Sequence, residues 1–168
     1  KLASLGLSFL GRSGITDVAQ PILERLAATS GELVRLSVLD GQDLVWIAVA
    51  QGATAGLRYD PGQEHGMVIH LASTANGLAY LATMSDEDAL MLVAEQGFAP
   101  KAAHPGARSP ATASELMALI HDARKRGYAV ARDSYILGMS AVAMPVCFGK
   151  EDKVIGTVSI AGPAARPG

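Results

Sequence analysis

Residues 33–50 constrain the fold more than any other stretch of the chain. Val34, Leu36 and Val38 alternate with Arg35 and Ser37, the period of a strand with one apolar side. Asp40-Gly41 follows, a dipeptide suited to the left-handed torsions of a tight hairpin turn. Residues 44–50 are almost wholly apolar, which predicts a return strand covered on both faces. An antiparallel hairpin that needs cover on two sides therefore sits near the start of the chain.

The cover is legible as helices. The spacing predicts one over 17–30, capped by Asp17, with Val18, Ile22 and Leu26 on one face and Gly31 as its stop. Pro21 fits only near the first turn. A short strand at 56–59, broken by Asp60-Pro61-Gly62, precedes a helix over 73–84 capped by Ser73 or Thr74, with Leu78, Leu81 and Ala82 inward. Ser85-Asp86-Glu87-Asp88 opens another helix that ends near Gly97. A loop rich in Ala, Pro and Gly covers 98–110. Thr112-Ala113-Ser114-Glu115 is a capping box for a helix with Leu116, Leu119, Ile120 and Ala123 on one side. That helix ends on Arg124-Lys125-Arg126, where its dipole favours cations, and on Gly127. Strands at 128–131, 140–148 and 153–161 close the chain. A hairpin, then helices, then a hairpin reads as α+β with an antiparallel sheet.

Bulk composition narrows the function. A hydrophobic fraction of 49% over 168 residues supports one core and one domain, and is too apolar for disorder. The charged fraction is 18% and the net charge −2, so the basic excess of a free-standing nucleic-acid binder is absent. Apolar runs are strand-length, which predicts no membrane helix. Residues 1–11 begin like a signal peptide, but Ser4, Gly6 and Ser8 break the run. The missing initiator Met reads as a piece of a longer chain. A single cysteine, Cys147, points to a reducing compartment.

Reactive chemistry is sparse. His65 and His70 could hold a metal with Cys147 or Asp133, but no tight ligand spacing supports this. His65, His70, His104 and His121 are therefore read as plain polar histidines, with no metal and no cofactor expected. Cys147, within Val146-Cys147-Phe148, reads as a buried inert thiol. No nucleophile elbow, phosphate loop or dinucleotide fingerprint is present. Asp86, Glu87 and Asp88 read as a solvated cap, and Arg124–Arg126 as a helix end. The chain is expected not to be an enzyme.

Five segments in order resemble the effector-binding domain of IclR-type transcriptional regulators. They are Ala19-Gln20-Pro21-Ile22-Leu23-Glu24-Arg25-Leu26 closed by Ser30-Gly31-Glu32; Val38-Leu39-Asp40-Gly41-Gln42-Asp43-Leu44-Val45-Trp46-Ile47; Leu71-Ala72-Ser73-Thr74-Ala75-Asn76-Gly77-Leu78-Ala79; Arg126-Gly127-Tyr128-Ala129, leading to Gly138 and to Ala143-Met144-Pro145-Val146; and Gly156-Thr157-Val158-Ser159-Ile160-Ala161-Gly162-Pro163. The resemblance implies a profilin- or GAF-like fold, a curved antiparallel sheet with flanking helices. It implies that residues 1–16 end an interdomain linker helix and that 17–168 form the effector-binding domain. A winged helix-turn-helix domain would precede them in the full protein. It further implies a cytoplasmic homodimer or homotetramer that meets operator DNA through that other domain, with no membrane partner. Effector binding would alter the oligomeric arrangement and so DNA binding. Two other readings remain: a ligand-free dimerisation or signalling module, and a GAF-like enzyme acting on a small substrate.

The family's small-acid sensors use a carboxylate, a Cys and two Ser where this chain has Ala131, Ala141, Ser159 and Ala161. The departure implies a more apolar pocket for an organic acid, aromatic or otherwise large. Candidate walls are Leu71, Leu78, Met139, Ala141, Ala143 and Trp46. Candidate polar anchors are Thr74, Asn76, Ser140 and Ser159, with the backbone N–H groups of Ala75 and Asn76 as a carboxylate rest. Arg58 reads as a loop anchor.

Overall fold

The computed structural model describes residues 14–54, 66–99 and 107–164. Most of the expected linker end, the 56–59 strand, Arg58, His65 and His104 lie outside the described residues.

Five strands form one antiparallel sheet in the order β2-β1-β5-β4-β3. β1 (Leu33–Asp40) and β2 (Asp43–Gln51) are the early hairpin, turning at Gly41 with φ of 63°. β3 (Ala129–Arg132), β4 (Met139–Phe148) and β5 (Lys153–Pro163) come from the last third. β1 pairs with β5, so the two halves of the chain meet in the middle of the sheet. α1 (Ile15–Ser30) lies on one face, against Val34, Leu36, Ile47, Ala48 and Ala50. α2 (Ala75–Leu81), α3 (Asp86–Gln96) and α4 (Ala113–Arg126) cover the other, around Leu44, Trp46, Leu78, Leu116 and Ile120. The α+β fold with an antiparallel sheet and flanking helices is the one expected.

The first hairpin follows the sequence reading, with one addition. Ser37 pairs with Trp46 and Leu36 with Ala48, so Ile47 is an extra residue, a β-bulge. Val34, Leu36 and Val38 face α1. The alternate side is also covered, because Ser37 is wholly buried.

α1 departs from expectation. It starts at Ile15, with Gly14 as its cap and Asp17 in its first turn, and Asp17 makes no cap. Pro21 therefore lies in the second turn, where its missing N–H costs one helical bond without ending the helix. Val18 and Ile22 are 72% and 51% exposed, and the buried residues are Leu23 and Ala27. The cause is close approach. A Cβ on Gly52 would stand 2.0 Å from the Ala27 carbonyl oxygen, so the helix rests against bare backbone at its small-residue side. The Gln20 amide adds a 3.1 Å bond to the Val49 carbonyl. Val18, Ile22 and Leu26 instead line a groove beside Leu36, Val146 and Val158.

The other helices end where their caps dictate. Thr112 and Glu115 form the complete capping box of α4, and Gly127 takes the left-handed stop. Ser85 accepts from the Asp88 N–H at 3.1 Å and opens α3. Leu119, expected inward, is half-exposed, while Leu116, Ile120 and Ala123 are buried. Arg124 reaches past its own helix end. Its guanidinium bonds Ala82 O at 3.1 Å, Met84 O at 2.8 Å and the Asp86 carboxylate at 2.6 Å, joining α4 to the α2–α3 corner. Cys147 is exposed, not buried as its apolar neighbours implied. It lies near the β4–β5 turn, just past the register shift at Val146, where Phe148 too is exposed.

Candidate functional site

A cavity of about 40 Å³ lies between the inner face of the sheet and the segments that cross it. β1 and β2 contribute Arg35 and Trp46 to its wall, and β4 and β5 contribute Met139, Ser140, Ala141 and Ala161. The turn into α2, from Ser73 to Asn76, forms a second side. Ser134, Tyr135 and Ile136, in the loop from β3 to β4, form a third, beside Ala131.

The α2 side is rigidly held. The Thr74 hydroxyl accepts from Gly77 N at 3.0 Å and donates to His70 O at 2.9 Å. Asn76 Nδ2 donates to Thr157 Oγ1 at 2.9 Å, and Thr157 Oγ1 lies 2.6 Å from Ser37 Oγ. Ser37 Oγ also donates to Thr157 O at 3.1 Å, so the Thr157 hydroxyl proton goes to Ser37 and its lone pair to Asn76. These three residues are at most 2% exposed, and their bonds bolt α2 to the centre of the sheet. Gly77 permits the contact beneath, since a Cβ there would stand 2.2 Å from Leu71 O.

His70 holds the preceding turn. Its Nε2 lies 2.9 Å from the Gly97 carbonyl, which only accepts, so Nε2 carries the proton. Its Nδ1, 2.8 Å from Ser73 Oγ, therefore accepts from that hydroxyl. Burial pushes the His70 pKa down, partly offset by the Gly97 bond.

The loop side is held around Asp133, with Arg108 N donating to Asp133 O at 2.6 Å and Met139 N to Ile136 O at 3.3 Å. Asp133 adopts φ of 52°, a conformation unusual for a non-glycine residue. Its carboxylate accepts from Gly138 N at 2.6 Å, its N–H donates to Met139 O at 2.8 Å, and Ser109 Oγ donates to Ser134 O at 2.7 Å.

Trp46 Nε1, Ser134 Oγ and Ser159 Oγ are buried and find no hydrogen-bond partner among the described residues. Each stranded group costs about 1–3 kcal/mol. The Arg35 guanidinium lies 4.4 Å from the centroid of the Trp46 ring, a cation–π contact.

Of the residues named from sequence, Thr74, Ala75, Asn76, Met139, Ser140, Ala141 and Trp46 border the cavity. Leu71, Leu78 and Ala143 lie in the adjoining core. Ser159 is off the cavity wall, paired with Arg35 on β1 and Ala143 on β4. The Thr74 hydroxyl and Asn76 Nδ2 are engaged in the protein's own bonds. Arg35, Ser134, Tyr135 and Ile136 were missed. Arg35 is recoverable from alternation, because it shares the inner side of β1 with Ser37. The loop residues carry no pattern that marks them. Among the described residues no group of three His, Cys, Asp or Glu is placed to hold a metal, and no helix is long and apolar enough to cross a membrane.

Residues 7–167 match the family model described as the bacterial transcriptional regulator IclR C-terminal domain. The chain belongs to the IclR family. It is 31% identical over 162 residues to the transcriptional repressor IclR of Escherichia coli K12, covering 96% of this chain and 57% of that protein. The chain thus spans just over half the length of the curated relatives it matches. The Thermotoga maritima IclR structure superposes with a TM-score of 0.78 at 28% identity, covering all of this chain and 65% of that one. The inducer-binding domain of a PobR double mutant from Acinetobacter, in complex with 3-hydroxybenzoic acid, has a TM-score of 0.73 at 20% identity, over 90% of this chain and 85% of that one.

Register explains what this IclR domain does with its substituted positions. Ala131 pairs with Ala141 and Ala141 with Ala161, so the three alanines form one row across β3, β4 and β5. They line the cavity as an apolar row, and its polar side chains come from β1, β2, Ser140 of β4, the α2 turn and the β3–β4 loop.

Proposed function

We propose that the domain is the small-molecule sensor of a bacterial transcriptional regulator, not an enzyme. An effector seated between the sheet and the α2 turn biases the oligomeric arrangement, and through it DNA binding by a domain outside this chain. The effector is an organic acid, with an aromatic acid favoured by the alanine floor. The regulator works in the cytoplasm as a homodimer or homotetramer. One observation carries the reading: Trp46 and Ser134 both border the cavity and both hold a buried polar atom without a partner. A domain that served only to dimerise would gain nothing from that cost. The PobR domain shows that this fold, in another protein, holds an aromatic acid.

The cavity's size favours the second reading, a module without a ligand. A volume of about 40 Å³ suits one water, whereas a cavity that takes benzene measures about 150 Å³. Sensing therefore requires the wall to move. A thermal-shift screen of this chain against small carboxylates and aromatic acids decides between the two. A ligand at 100 times its Kd stabilises by about 2.7 kcal/mol. That shift is worth roughly 5–10 °C in a domain of this size. A melting temperature unchanged across the panel would favour the module.

A further inference from the structure

We infer that Ser109 is a latch: its hydroxyl holds the tip of the β3–β4 loop, residues 134–137, shut over the cavity, and its release opens that wall to solvent and to a ligand. This rests on the sensing reading and adds the gate that a sensor with so small a cavity requires.

The latch stands on a fixed post. Ser109 precedes the capping box of α4. Before it, Arg108 N donates to Asp133 O at 2.6 Å; after it, Pro110 is buried and Ala111 N donates to the Glu115 carboxylate at 2.8 Å. The base of the loop is equally firm. Asp133 N donates to Met139 O at 2.8 Å, the Asp133 carboxylate accepts from Gly138 N at 2.6 Å, and Gly138 O accepts from Ala164 N at 2.8 Å. Between these anchors the tip makes two hydrogen bonds among the described residues. Ser134 O accepts from Ser109 Oγ at 2.7 Å, and Ile136 O accepts from Met139 N at 3.3 Å. The second is long and closes within the loop's own hairpin. Ser109 thus supplies the bond that joins the tip to a separate part of the chain.

Lifting the tip is compensated where lifting α2 is not. The Ser134 hydroxyl is buried without a partner while the tip is closed, and water reaches it once the tip rises. Tyr135 and Ile136 are only half-buried and Leu137 is 53% exposed, so the tip carries little of the core. On the α2 side the Asn76 amide and the Thr157 hydroxyl satisfy each other, and separation strands both.

Trp46, the one tryptophan of the chain, stands on the β2 wall of the same cavity and is 5% exposed. Acrylamide, a small neutral quencher, therefore reports opening through its fluorescence, and amide hydrogen exchange reports which bonds open. In Ser109→Ala we expect quenching of Trp46 to rise at least about twofold, and exchange at the Met139 N–H to quicken about fivefold, the worth of one hydrogen bond. The Arg108 N–H, tied to the loop's base, and the Gly77 and Leu78 N–H groups, tied to Thr74, should keep their rates. Ser109→Thr retains a hydroxyl and should restore both readings. If Ser109→Ala quickens all of these amides together, the residue supports the fold at large and the latch is overturned. A quicker Met139 with unchanged quenching overturns it as well, since the tip then moves without opening the cavity. So does an unchanged Met139 rate. None of these results decides whether an effector binds, which the thermal screen tests in the wild-type chain.

Discussion

Thr157→Val isolates the bolt between α2 and the sheet. Valine keeps the branched shape and removes only the hydroxyl. Two bonds disappear: the one to Ser37 Oγ at 2.6 Å and the one from Asn76 Nδ2 at 2.9 Å. Ser37 keeps its bond to the Thr157 carbonyl, so it is not stranded. Asn76 is stranded, because it is 2% exposed and water cannot replace the lost acceptor. The lost bond costs about 1 kcal/mol and the stranded amide about 2 kcal/mol more. The expected loss is therefore about 3 kcal/mol, or roughly 6–12 °C in melting temperature. In an Asn76→Ala background no donor is left to strand, and the same substitution should cost only about 1 kcal/mol. Urea unfolding of the four proteins closes the cycle, with a coupling of about 2 kcal/mol expected between the two sites. An equal cost in both backgrounds would refute the reasoning, since Asn76 would then not depend on that hydroxyl.

Gly156→Ala should destabilise by about 3 kcal/mol or more, because the new Cβ would stand 1.9 Å from the Ser37 carbonyl oxygen of the paired strand. Gly41→Ala is its control: nothing lies within 4 Å there, so only the left-handed torsion is penalised, at about 1–2 kcal/mol in the same urea assay. His70 makes stability depend on pH. Its folded pKa is lowered, so the unfolded chain binds the extra proton first, and stability should fall as pH drops below about 6.5 towards the folded value. His70→Gln, which can donate to Gly97 and accept from Ser73 without titrating, should flatten that part of a melting-temperature profile; an unchanged slope would assign it to other groups.

What the sequence makes legible is whatever is decided locally. The Thr112–Glu115 box, the Ser85 cap and the Gly127 stop are each written in four residues or fewer, and each stands in the structure. The first hairpin is equally local. α1 shows the limit. It carries two apolar rows, Val18-Ile22-Leu26 and Ala19-Leu23-Ala27, and the larger side chains give the stronger signal. The smaller row is buried because Gly52 lets the helix come close, a contact between residues 25 apart in the chain. Cys147 misled for a related reason: apolar neighbours report strand, and not how far the covering helices extend. The cavity needed register most of all. Alternation could place Arg35 on the inner side, but only the pairing of β3, β4 and β5 turns Ala131, Ala141 and Ala161 into one floor. Nothing local marks Ser134 as its neighbour.

The two sides of the cavity answer differently to a ligand larger than 40 Å³. Moving α2 would break the Asn76–Thr157–Ser37 bonds in the middle of the sheet and lift Gly77 off the Leu71 backbone. Those groups are buried, so each broken bond strands a polar atom. Moving residues 134–136 meets less resistance. The bonds that define that loop join Asp133 to Gly138 and Met139 at its base, and these survive a shift of the tip. The tip itself is tied by Ser109 Oγ to Ser134 O and by Met139 N to Ile136 O at 3.3 Å, and it carries a hydroxyl that already lacks a partner. Opening on the loop side thus breaks those two tip bonds and leaves the buried Asn76–Thr157–Ser37 bonds of the α2 side intact. The direction of opening follows from where the protein's own polar groups are already paired.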